Sequence, residues 1–148
     1  MKNTKEALKA ELNNLEKARD VLSYSYEKCS KTGIRTDLSN DELEAFEALS
    51  ARFARLSDIV IQKVIRYLDA LDLEDTGTVR DRINRAEKKE LINSAEDFVQ
   101  IRMLRNEIAH EHKPDTIYDI FERVLASTPI LLEAVDRIHT KIKQYASR

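Results

Sequence analysis

Apolar residues recur every three to four positions along nearly the whole chain, and almost nothing punctuates them. The sequence holds 148 residues but only two Gly and two Pro. An all-β fold needs turn residues roughly every 8–12 positions, so that class is excluded. Disorder is excluded as well, because 42% of the residues are hydrophobic and they arrive in helical order. The length fits one domain, residues 1–148, on a prior of roughly 100–200 residues per domain. The expected fold is all-α: an antiparallel up-and-down bundle of four long helices plus a short fifth.

The pattern divides into segments. A first helix is expected over 4–30, with Leu8, Leu12, Leu15, Ala18, Leu22 and Tyr26 facing inward. Residues 31–35, around Gly33, break it. Ser39 with Glu42 has the spacing of a capping box, in which each side chain satisfies an orphan backbone N–H. The long helix that follows, 39–74, carries one apolar line through Phe46, Phe53, Val60 and Leu71. It carries a second through Ile61, Ile65 and Leu68. Two lines imply either a central helix with neighbours on both sides or a subunit interface. Asp75-Thr76-Gly77-Thr78 is the clearest interior break, followed by a short polar helix over 79–90. Ser94 with Asp97 opens the next helix, 94–111, which Lys113-Pro114-Asp115 should end, since the residue before Pro disfavours helix. Asp115 then caps a last helical region, 116–146, which Pro129 should kink or restart.

Composition narrows function further. The net charge of −2 gives no global pull toward nucleic acid or acidic lipid, so polyanion binding would have to be local. The single cysteine, Cys29, cannot form an internal disulfide, which fits a reduced, cytoplasmic protein. No Cys/His spacing matches a zinc site and no carboxylates cluster, so no metal and no cofactor is expected. Residues 1–9 are charged and do not read as a signal peptide. The most apolar stretch, 59–68, is interrupted by Gln62, Lys63 and Arg66, too polar to span a membrane.

Residues 94–112 fit a plain bundle least well. At about 100° per residue, Phe98, Ile101, Ile108 and Ala109 share one arc, yet Arg105 and His112 fall near its middle. A guanidinium there is costly unless it is paired or faces a solvent-filled cleft. Asp58 or Glu47 on the long helix could pair it. Arg102, Asn106 and His110 continue at four-residue spacing along the flank. Elsewhere the bland readings apply. His139 reads as a solvated histidine, and Tyr24 and Tyr26 as packing or rim residues. Arg52, Arg55 and Asp58 read as intrahelical pairs, unless Asp58 reaches Arg105 instead. Arg80, Arg82, Arg85, Lys88 and Lys89 make the short helix basic, either as a solvated face or as a patch for RNA or a partner.

The run Arg105-Asn106-Glu107-Ile108-Ala109-His110 resembles the signature of the HEPN superfamily of small helical proteins: an Arg, a polar residue after it, and a His closing a four-residue gap. The surroundings are similar too. A Phe98-Val99-Gln100-Ile101-Arg102 lead-in precedes the run, an Asp/Pro turn trails it, and Gly77-Thr78-Val79-Arg80-Asp81 lies upstream. The nearest likeness is to the branch paired with minimal nucleotidyltransferases, which holds HepT-like toxins and nucleotidyltransferase substrate-binding proteins. It covers roughly residues 5–145.

The resemblance implies a metal-independent endoribonuclease toxin, restrained by a nucleotidyltransferase antitoxin and acting as a homodimer. A ribose 2′-hydroxyl would attack the adjacent phosphate. His110 would move a proton, as imidazoles do near neutral pH. Arg105 would hold the phosphate in its planar fork, and Asn106 would orient His110 or bind phosphate. Arg102 and His112 would contact the RNA or nucleotide substrate. Arg105 and His110, five residues apart, project about 140° from each other on a helix. Two copies across a two-fold axis would therefore share one cleft. HepT-like toxins commonly carry, two residues past the motif His, a Tyr that the partner modifies with AMP. This chain has His112 there, and Tyr118 is the nearest tyrosine downstream. That departure keeps a second function open: a non-catalytic subunit that binds nucleotide or substrate for the nucleotidyltransferase.

Overall fold

The computed structural model describes residues 2–110 and 114–146, and these are all-helical, with no strand among them. Helix α1 spans Lys2–Thr32 and α2 spans Asn40–Asp58. A π-helical turn, Ile59–Val64, leads into α3, Ile65–Leu71. Then come α4, Val79–Lys88, α5, Ala95–His110, and α6, Pro114–Ala146. The backbone stays right-handed helical at Ile59 and Val64, so α2, the π turn and α3 form one rod. Counted that way the bundle has five helices, as the periodicity predicts.

The capping box at the start of α2 is present. The Glu42 N–H donates to Ser39 Oγ at 3.2 Å, and the Ser39 N–H donates to Glu42 Oε1 at 2.8 Å. Arg35 adds a fork onto the same carboxylate, 2.9 Å from Oε2. The Ser39 N–H foremost, then Arg35, holds the Glu42 carboxyl below its ordinary range. We expect Ser39→Ala to destabilise the protein by about 1 kcal/mol in urea unfolding.

A second capping box, at Thr78 and Asp81, starts α4. Gly77 precedes it at φ +89°, a conformation that favours glycine, and an added Cβ would meet the Asp81 carboxylate at 2.4 Å. Gly77→Ala therefore strains the backbone and pries open the cap. We expect a loss of about 1–3 kcal/mol, read as a lower denaturation midpoint at unchanged slope.

One core runs through every helix. Leu15 and Leu22 of α1 meet Phe46, Leu49, Phe53 and Leu56 of α2, and Phe121, Val124, Leu131 and Val135 of α6 close the far side. Phe46 stacks on Phe121 with centroids 5.1 Å apart. Along the α1–α6 seam, Glu16 faces His139 and Arg19 faces Asp136, so partners run in opposite directions and the helices are antiparallel.

The two apolar lines of 59–68 are both buried within this one chain: Ile61, Ile65 and Leu68 as fully as Val60 and Val64. The π turn is the reason. Its wider ring, closed by Ile65 N–H donating to Val60 O, inserts one residue and rotates the following residues inward. The rod is central to the bundle, and its second line is no subunit interface.

Several boundaries differ from expectation. The short helix ends at Lys88 because Glu90 adopts a left-handed φ of 61°, capping the helix while Leu91 N–H bonds Ala86 O. Helix α6 begins at Pro114 rather than after an Asp115 cap, with proline in the first turn where its missing N–H loses nothing. Pro129 neither ends nor restarts α6, which is continuous to Ala146. Thr128, fully buried one residue earlier, donates its hydroxyl to Val124 O at 2.7 Å. Packing of Phe121 and Val124 before the proline, and Leu131 and Val135 after it, ties both halves to one core. Lys113 lies outside the described residues.

Candidate functional site

Helix α5 packs against α2, α4 and α6. Ser94 caps it, accepting the Asp97 N–H at 3.2 Å. Its buried face is Ala95, Phe98, Ile101 and Leu104, with Ile108 half-buried. Ala109, expected on that face, is exposed, and Leu104 takes its place. The buried stripe is thus rotated from the expected arc, and Arg105 sits at its edge rather than at its centre.

There Arg105 crosses to α2. Its Nε donates to Asp58 Oδ1 at 2.7 Å and its Nη2 to Asp58 Oδ2 at 2.9 Å, a fork-on-fork pair. The pairing with Asp58, one of the two acids expected to reach Arg105, is present. It is not buried, since the side chains keep 31% and 42% of their surface. An exposed pair of this kind contributes roughly 0–1 kcal/mol. Its larger effect is positional. It fixes the guanidinium plane and leaves Nη1 without a protein partner among the described residues. The Asp58 hydrogen bonds push the Arg105 guanidinium to an even higher pKa than usual.

This pair stands in the wall of a groove of about 750 Å³ between α1, the α2–π junction and α5. Glu11 and Asn14 form the α1 side. Arg55, Asp58, Gln62 and Lys63 line the central rod, and Arg102, Arg105 and Asn106 line α5. Cations outnumber acids there, four to two. Arg55, Lys63 and Arg102 are exposed, and no carboxylate pairs with any of them among the described residues. Such a groove can take a phosphate or another anion.

The structure therefore brings Arg102, Arg105 and Asn106 to one groove. It does not bring His110, which is exposed at the last residue of α5 and is not a groove wall. His112 and the neighbouring Glu111 lie outside the described residues. Tyr118, the nearest downstream tyrosine, is half-buried, with its hydroxyl donating to Thr36 O at 3.4 Å and its ring edge-on to Phe121. Among the described residues no three His, Cys, Asp or Glu side chains gather as metal ligands, and no helix is long and apolar enough to cross a membrane.

Other expected roles change. Arg52 forms no intrahelical pair with its own helix; it crosses to α1, donating to Ser25 Oγ at 2.8 Å and Val21 O at 3.2 Å. The basic short helix is not a uniform solvated face. Arg85 and Lys89 grip the fully buried Asp69 at 3.0 and 2.7 Å, and Arg80 reaches Glu96 at 3.8 Å. His139 is not simply solvated. Its Nε2 lies 3.0 Å from Glu16 Oε2, both atoms shielded from water and out of line for a hydrogen bond. Tyr24 is exposed and Tyr26 half-buried, as rim residues would be.

Of the groove residues outside α5, the pattern reading ties only Asp58 to the site. The pattern reads Arg55 as part of an intrahelical pair and Lys63 as an interruption of the apolar stretch, and only the conflict between two apolar lines marks an inserted residue beneath them. Comparison with family models finds no match, and comparison with curated proteins finds none either.

Proposed function

We propose that this protein is a HEPN-like ribonuclease that cleaves RNA without a metal, working as a homodimer with a minimal nucleotidyltransferase as its antitoxin partner. The observation that carries this reading is the Asp58 clamp on Arg105, beside Asn106 and Arg102, on the wall of a cation-rich groove. A phosphodiester in the groove would meet Arg105 Nη1 and Arg102. The 2′-hydroxyl attacks phosphorus, the bond to the 5′-oxygen of the next nucleotide breaks, and a cyclic phosphate and a free 5′-hydroxyl result. His110 takes the proton from the attacking hydroxyl or supplies one to the leaving oxygen. Arg105 stabilises the charge that builds on the phosphate oxygens.

His110 cannot do this from within the same groove, so a second copy must bring it there. The 140° or so between the two side chains on one helix asks for the same arrangement. The test is incubation of the purified dimer with mixed RNA in EDTA. Cleavage with cyclic-phosphate ends is the expected result.

A second reading has its own observation: in one chain His110 stands outside the groove, while Arg102, Lys63 and Arg55 remain there as unpaired cations. A subunit that holds nucleotide or substrate for the nucleotidyltransferase needs that and no more. No cleavage, together with binding of AMP or ATP that Arg102→Ala abolishes, decides for it.

A further inference from the structure

Arg19, Arg35, Arg85, Arg105, Arg123 and Arg137 each hold a carboxylate within 3.2 Å. Arg80 reaches one at 3.8 Å, and Arg52 is held on α1 by neutral oxygens. Four others pair with no carboxylate among the described residues. Arg55 and Arg102 stand in the groove, and Arg66 and Arg82 continue from it across α3 and α4. The continuity runs through Gln62, which lines the groove and whose Oε1 accepts Arg82 Nη1 at 3.0 Å. Arg82 also reaches Ile61 O, at 3.4 Å, so both its partners are neutral. Burial first, then the positive charges of Arg66, Arg85 and Arg102, push its guanidinium below the usual pKa. The one acid acting on it is Asp69, which is already bound to Arg85 and Lys89. Three helices thus bring like charges together, and among the described residues no carboxylate pairs with Arg66, Arg82 or Arg102. That arrangement destabilises an empty protein and suits a bound polyanion.

The size of the track decides what kind of anion. From Arg55 to Arg66 the rod advances eleven residues, roughly 16 Å at about 1.5 Å per residue. One phosphate reaches only a fraction of that distance, so the track accommodates at least two. We infer that Arg66, Arg82 and Arg102 form a second phosphate subsite, and that the groove and this subsite together hold an extended single strand of RNA. This rests on the reading that the groove takes RNA phosphate; it adds where the strand runs next.

The test is fluorescence anisotropy with a labelled 12-nucleotide 2′-O-methyl RNA, which lacks the attacking hydroxyl and stays intact. AMP serves as the one-phosphate competitor, and a glutamate peptide of equal charge as the competing polyanion. Arg66→Glu, an exposed change, is expected to weaken 12-mer binding about tenfold. It should also reduce the slope of log K against log salt by about 0.7, the share of one phosphate contact in a single strand. Lys31→Glu makes the same charge change about 25 Å further along α1 from Asn14 and is expected to do neither. Matching melting curves establish that each variant is folded.

Equal 12-mer affinity and equal slope for Arg66→Glu and wild type would overturn the subsite. So would a glutamate peptide that binds as tightly as the RNA. If wild type cleaves no RNA yet binds the 12-mer in the Arg66-dependent way, the strand path stands and the nuclease reading falls. If neither 12-mer nor AMP binds, both fall.

Discussion

His110→Ala is expected to slow RNA cleavage by a factor of about 10²–10⁴ while leaving the melting curve unchanged. The two halves of that expectation come from different observations. The side chain is exposed at the last turn of α5, so its removal leaves no cavity and orphans no buried polar group. The loss of rate follows from the proposed role of this imidazole as the group that moves the proton. Arg105→Ala is expected to lose about 10²–10³ in rate. Arg105→Lys should rescue little of it, because a point charge cannot lie across Asp58 and present a free nitrogen at the same time. Mixing makes the experiment sharper. If Arg105 of one copy works with His110 of the other, refolding Arg105→Ala and His110→Ala proteins together rebuilds one intact site in each mixed dimer. Random pairing then returns roughly a quarter of wild-type activity. Sites contained within single chains return none, and that outcome would sink the shared cleft.

How much of this could be read from residues alone depends on the kind of signal each part leaves. The helices were legible because their inner faces repeat: Leu15, Leu22, Phe46, Phe53 and Leu56 are all buried where the period puts them. The caps were legible because Ser39–Glu42 and Ser94–Asp97 are local chemistry over three residues. Glu90 was not. A non-glycine residue in a left-handed conformation leaves no mark in sequence, and tertiary packing of Leu91 and Ile92 outweighs its local preference. Pro129 leaves a kink or a restart open in sequence, and burial on both sides holds the helix together without a restart.

The groove was half legible. Arg105 showed itself by falling among apolar residues, and its partner Asp58 by being an acid within reach on the long helix. Their exposure could not be read, because a wheel at a fixed angle does not know how neighbouring helices cross. The π turn shifted the rest. A fixed period of 3.6 puts one of the two apolar lines outside, so it leaves open a dimer face that the wider turn removes. It also presents Gln62 and Lys63 to the groove beside Arg102. No periodicity argument pairs those residues, since they come from helices with unrelated patterns.

The largest stability change expected from one polar substitution is at Asp69, far from any motif. This carboxylate is completely enclosed, and Arg85 and Lys89, each only about a fifth exposed, close over it from α4 and the residue after it. Asp69→Ala leaves two inward-facing cations with a single acid fewer and a void, and the usual penalty for breaking a buried pair is about 3–5 kcal/mol. Because Lys89 keeps Asp72 at 2.9 Å and Glu74 at 3.3 Å, the low end, about 3 kcal/mol, is the expected value in urea unfolding. Asp58→Ala, whose pair is exposed, should lose at most about 1 kcal/mol in the same assay. The network also sets an alkaline limit. Burial opposes the Lys89 charge, but the hydrogen bonds to Asp69 and then Asp72 outweigh it and raise its pKa above the ordinary lysine value. A raised folded-state pKa means this contribution is complete below about pH 10.4 and disappears as pH rises through the folded value. Wild type should therefore lose stability from about pH 10.4 upward, and Asp69→Asn should show a shallower decline there. The same carboxylate seats α4 against α3, and α4 carries Arg82 to Gln62. Asp69→Asn should consequently weaken 12-mer binding without altering any residue that touches the strand, and unchanged binding in a measurably destabilised protein would show that the track does not depend on this anchor.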